Sequence, residues 1–199
     1  MTTALSRPGP LTFDPVVVGR AECAAWAGYY RREWIPFLRA GVTMVRAGFG
    51  MPWRRTLAGA WHVLRANQRW APYPDNDPDG ARAAMRRFYR LVVRSGWGGF
   101  DPERAATLEV RWWRVHREHQ HDTGVTEPEL VGALTDLYAY VYGLPDVAVR
   151  PAAQLRVDAM DASDRWVAAG CSPDDPLLAR ERRLLVASFS ALRDAVDRR

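Results

Sequence analysis

The sequence predicts an all-α fold, a single-domain bundle of about seven helices. Three observations predict it. Apolar residues recur at three- and four-residue spacing in one stretch after another, the alternating runs of half-buried strands are missing, and helix-start chemistry recurs. That chemistry is an Asp-Pro pair at Asp101-Pro102 and at Asp175-Pro176, where a capping side chain precedes a proline suited to the first helical position.

The elements follow in order. A first helix is expected over Gly19 to Ile35 and a second over Pro36 to Gly48. The two read equally as one bent helix, because Pro36 removes a helical donor and favours a bend near Ile35. A third is expected over Pro52 to Trp70, with Trp53, Leu57, Ala60, Trp61 and Leu64 facing inward and His62 outward. The stretch "APYPDNDPDG", Ala71 to Gly80, is dense in turn formers and reads as a polar loop. A fourth helix, Asp79 to Ser95, buries Ala81, Ala84, Met85, Phe88, Leu91 and Val92 and turns Arg86, Arg87, Arg90 and Arg94 away. The fifth spans Asp101 to His121. The sixth, Thr126 to Tyr142, opens on a capping box of Thr126 and Glu129 and closes at Gly143. The last two are expected over Pro151 to Ala169 and Asp175 to Arg198, and residues 1–15 as an irregular N-terminal segment.

A chain of 199 residues, 48% hydrophobic, suits one domain and excludes a largely disordered protein. All 28 basic residues are arginine, a composition bias that makes the net charge of +5 speak less strongly for nucleic acid, and such a partner is disfavoured. Cys23 and Cys171 have neither zinc spacing nor a disulfide framework. With no leader signal and no long apolar run, a cytoplasmic protein without a transmembrane segment is expected. The segment "WIPFLRAGVTMVRAGFGMPW" comes nearest to a membrane signal. Arg39 and Arg46 interrupt it, so at most it would lie on a bilayer surface.

Helical wheels then place charge where core is expected. In "LEVRWWRVHREHQHD", Glu109 and His116 fall inside the apolar arc of Ala105, Leu108, Trp112, Trp113 and Val115. Glu33 lies with Trp26, Tyr29, Tyr30 and Phe37, and Glu181 lies between Leu177, Leu184, Leu185 and Ser188. Arg156 shares a face with Leu155, Ala159, Ser163 and Trp166. An unpaired charge in the interior costs several kcal/mol, so these groups must find partners, change protonation or bind an ion.

One reading is a shared polar site. Glu109, His116 and Arg156 would do acid–base chemistry and hold an anionic substrate, within walls of Trp112, Trp113 and Trp166. Glu33, Glu109, His116 and Glu181 would supply ligands for iron or manganese, and haem on His116 is a weaker option. The Glu-x6-His spacing of Glu109 and His116 resembles that of diiron oxidases of the haem-oxygenase-like fold, over eight residues and without a second histidine–carboxylate helix. The architectural alternative pairs Arg156 with Glu109 or Glu181 and does no chemistry. The functional expectation is a small intracellular enzyme acting on a hydrophobic or aromatic, acidic metabolite, with an iron- or manganese-dependent oxidation among its options. Its alternative is a non-catalytic helical ligand-binding or protein-interaction module with an arginine-rich surface. Homo-oligomerisation stays open.

Overall fold

The computed structural model describes residues 10–97, 99–121 and 124–199. Among them the chain is all-helical, with eight helices. They are α1 (Pro15–Tyr30), α2 (Trp34–Phe49), α3 (Trp53–Trp70), α4 (Pro78–Arg94), α5 (Pro102–Gln120), α6 (Glu127–Tyr142), α7 (Asp146–Ala168) and α8 (Pro176–Asp197). Of the N-terminal segment expected to be irregular, residues 1–9 lie outside the described residues, as does Asp122 at the end of the histidine-rich stretch.

Four of the eight helices open on the same device. Asp14, Asp77, Asp101 and Asp175 each precede a proline, and each carboxylate accepts from a backbone N–H of the first turn. α6 instead uses its capping box, with Glu129 accepting from the Thr126 N–H at 2.7 Å, and it ends at Gly143 in the left-handed region. The break between α1 and α2 is not at Pro36. It falls at Arg31–Glu33, where Arg32 takes a positive φ of 60°, and Pro36 sits in the first turn of α2, where its missing N–H costs nothing. α7 likewise begins five residues before Pro151, which it absorbs within the helix.

Each helix packs on its neighbours in the chain, and α8 returns to pack on α1, which closes a ring. Gly19 permits that closure: a Cβ there would stand 2.7 Å from the backbone nitrogen of Val186 in α8. The main core runs through the ring, from Phe13 and Val45 to Leu134, Val149 and Leu192. A smaller cluster of Cys23, Ala159, Trp166, Leu178 and Leu185 fills the region where α1, α7 and α8 meet.

The weakest of these neighbour contacts joins α2 to α3, and it overturns one expectation. α3 buries Thr56, Gly59, Ala66 and Trp70 against the core, which turns Trp53, Leu57 and Trp61 outward, each more than half exposed. Wheel geometry had grouped these three correctly on one face. It assigned that face to the core because the face is apolar, whereas small residues let the opposite face approach α4 closely. No helix among the described residues is long and apolar enough to cross a membrane.

Candidate functional site

The centre of the ring holds charge, as the wheels implied, but the pairing differs. Arg156 enters from α7 and donates both Nη groups to the carboxylate of Glu22 on α1; its Nη1 lies 3.1 Å from Glu22 Oε2, and Nη2 contacts Oε1 more closely. Nη1 also donates to the Tyr138 hydroxyl at 3.3 Å. The guanidinium sits over two rings, 5.7 Å from the centroid of Trp112 and 5.6 Å from that of Phe189. Burial alone would favour a neutral guanidine. Glu22, then Tyr138 and Glu109, outweigh it, and the Arg156 pKa is raised. The expected partners, Glu109 and Glu181, are therefore replaced by a residue that the sequence reading passed over. The signal was present: Glu22 shares the buried face of Val18, Ala21 and Ala25, and α1 starts four residues earlier than expected.

Glu109 is engaged by other groups. It accepts from Tyr89 Oη at 2.6 Å and from the indole N–H groups of Trp112 and Trp113, both at 3.2 Å. Burial pushes its pKa up, against the pull of these donors and of Arg156. The two tryptophans expected to wall a ligand pocket are thus committed to a carboxylate. Trp166 is fully buried in the smaller cluster, where its indole N–H donates to the Ser172 carbonyl at 2.7 Å. Together Tyr89–Glu109 and Glu22–Arg156–Tyr138 stitch α4 to α5 and α1 to α6 and α7.

Glu181 is buried, 1% exposed, and near enough to Glu22 to feel its charge. Desolvation, helped by the Glu22 charge, pushes its carboxyl up to about 8, against a bond from Ser163, and its Oε2 has no hydrogen-bond partner among the described residues. It is therefore a neutral acid at pH 7. Glu33 is not in the core at all. It flanks the N-terminus of α2 with its side chain 44% exposed and pairs with Arg31 at 2.8 Å. The wheel misplaced it by continuing α1 through the break at Arg31–Glu33.

His116 is the one predicted site residue that opens on space. Its Nε2 lies 3.2 Å from Asp164 Oδ2, while Gln120 donates to Oδ1 of the same carboxylate at 2.7 Å. The pair borders a surface groove of about 300 Å³ whose walls also include His119, Glu127, Asp158, Asp161 and Arg180. Neither Glu109 nor Arg156 lines it. A histidine held by a carboxylate beside an open groove can accept a proton or bind a cationic group.

The four side chains proposed as metal ligands do not converge: Glu33 is on the surface, Glu109 is bound to three donors, Glu181 is enclosed elsewhere and His116 faces Asp164. Among the described residues, no three His, Cys, Asp or Glu side chains stand together in a way that could hold a metal ion. Comparison with family models, with curated proteins and with solved structures finds no match.

Proposed function

We propose that this chain is a non-catalytic helical interaction module that meets an acidic partner through its α2–α3 hairpin. One observation carries the reading, a segregation of charge and apolar surface. Residues 34–74 contain six arginines and no aspartate or glutamate, while the rest of the chain has 22 arginines against 23 carboxylates. The whole excess of positive charge therefore belongs to this segment. The same hairpin leaves Trp34, Ile35 and Leu38 of α2 and Trp53, Leu57 and Trp61 of α3 between 49% and 73% exposed. Those six are half of the twelve strongly exposed large hydrophobic residues among the described residues, too many on two helices to be the scattered exposure of an ordinary surface. The closed centre supports the same reading, since Arg156 is engaged by Glu22 and Tyr138, and Glu109 by Tyr89 and two indoles.

The test is retention on immobilised heparin. Changing Arg39, Arg54 and Arg65 together to glutamine is expected to lower the eluting salt concentration clearly more than the same change at Arg87, Arg90 and Arg150, which remove equal charge from other helices. Equal shifts from the two triple variants would mean that only net charge matters and that the hairpin is not the binding face.

A second reading is favoured by the His116–Asp164 pair and its groove: acid–base catalysis, or capture of a small ligand, at His116. This keeps one residue of the enzyme expected from the sequence. Because the pair is partly solvent-exposed, His116→Ala is expected to cost less than about 1 kcal/mol of stability in urea denaturation. A loss of several kcal/mol would make His116 a packing element and remove the support for this reading.

A further inference from the structure

We infer that the partner of the α2–α3 hairpin is the surface of an anionic lipid bilayer. The inference rests on the reading of that hairpin as the binding face, and it names the partner's chemistry. Each helix carries a stripe at four-residue spacing: Trp34, Leu38 and Val42 on α2, and Trp53, Leu57 and Trp61 on α3. Trp34, Leu38, Trp53, Leu57 and Trp61 are strongly exposed, and Ile35 beside them is 73% exposed. Tryptophan suits the boundary between headgroups and acyl chains, having a large apolar body and one N–H for the wet side.

The arginines stand where such a surface needs them. Arg65 is exposed and lies 5.9 Å from the Trp61 ring centroid, so cation and ring can enter the interface together with the guanidinium toward lipid phosphate. Arg46, 4.1 Å from the Trp53 centroid, donates to the Met51 carbonyl and holds that ring in place. Of the six arginines, only Arg69 has a carboxylate partner among the described residues, Asp77 at 2.7 Å at the end of the hairpin. Of the other five, Arg55 is half-buried and donates to the Arg94 carbonyl and to Ser95, and Arg46 is half-buried as well, so exposed Arg39, Arg54 and Arg65 are the ones that face an external anion.

The relief of the surface and its aliphatic residues separate the alternatives. The depression beside Leu38, Arg39, Val42 and Thr43 is open and shallow, which suits a lipid plane better than it would grip a partner helix. A second copy of this chain would bring two acid-free, arginine-bearing faces together and be repelled. A single-stranded nucleic acid would use the arginines and the tryptophans, but Ile35, Leu38 and Leu57 have no part in stacking a base. Immersion in the outer acyl region uses all of them.

The experiment is co-sedimentation of the full chain with vesicles of phosphatidylcholine alone and of phosphatidylcholine with about one third phosphatidylglycerol. Expected is binding to the anionic vesicles at least about tenfold tighter than to the neutral ones, weakening as salt rises. The triple variant Trp34→Ser, Trp53→Ser, Trp61→Ser should lose about tenfold or more on the anionic vesicles while keeping wild-type helicity and melting, because these side chains are exposed. Vesicles that never carry the protein down would overturn the inference, as would binding indifferent to the tryptophans. Retention by polyglutamate or oligothymidylate without vesicle binding would assign the face to an acidic protein or to nucleic acid instead. The heparin comparison separates these failures from a failure of the hairpin reading, since the bilayer can fail while the hairpin arginines still govern polyanion binding.

Discussion

Arg156→Met is expected to destabilise the protein by about 3–5 kcal/mol, which at this chain length lowers the melting temperature by roughly 6–20 °C. The cost comes from what is left behind. Glu22 is 5% exposed, and it would keep a buried charge whose only charged hydrogen-bond donor among the described residues has gone. Tyr138 would lose its bond and Trp112 and Phe189 their stacked cation. The double change Glu22→Leu with Arg156→Met should recover much of the loss, because two apolar groups of similar size need no partners. Urea unfolding of the two variants checks this. If the double variant is no better than the single, the pair does not act as a unit.

The second large effect is a pH dependence centred on Glu181. Its carboxyl sits at about 8 in the folded protein, against an ordinary value of 4.5. Between these values the folded state holds a proton that the unfolded chain has released, so stability falls as pH rises across this interval. Below it both states are protonated and the group contributes nothing; above it the full penalty applies, on the order of a few kcal/mol. Glu181→Gln keeps the shape and removes the titration. The variant should match wild type near pH 4.5 and exceed it in stability near pH 8.5, as measured by denaturant titration at both pH values. A constant difference between the two proteins at both pH values would show that Glu181 is not held neutral.

Much of the fold was legible in the sequence because helix starts are local chemistry. The Asp-Pro device at Asp101 and Asp175 was read correctly, and the same pairs at Asp14 and Asp77 would have placed the starts of α1 and α4 as well. The bend expected at Pro36 and the helix start expected at Pro151 are both displaced. A proline in a first turn has no intrahelical bond to lose, and Pro151 falls inside a helix that began at Asp146.

The candidate site was legible only in part. A single-helix pattern can say that Glu109, Arg156 and Glu181 point away from solvent, since 100° per residue fixes their faces. It cannot say which of them meet. Arg156 found Glu22, more than a hundred residues distant in the chain, and Glu109 found Tyr89 across the α4–α5 interface. Both partners lay on buried faces of their own helices and were passed over because nothing local marks a glutamate or a tyrosine as paired.

By itself, then, the sequence determined that the fold is helical, that helices open at Asp101, Thr126 and Asp175, and that Glu109, Arg156 and Glu181 turn inward. These are properties of short stretches, set by backbone hydrogen bonding and side-chain periodicity. Only the tertiary structure decided which buried charges neutralise one another and which apolar face is left to solvent. Trp53, Leu57 and Trp61 look like core residues on a wheel, but α3 buries the face of Thr56, Gly59, Ala66 and Trp70, with Gly59 against Phe88 of α4. When a helix has two faces able to pack, its neighbours decide which is buried, and no local rule contains that information.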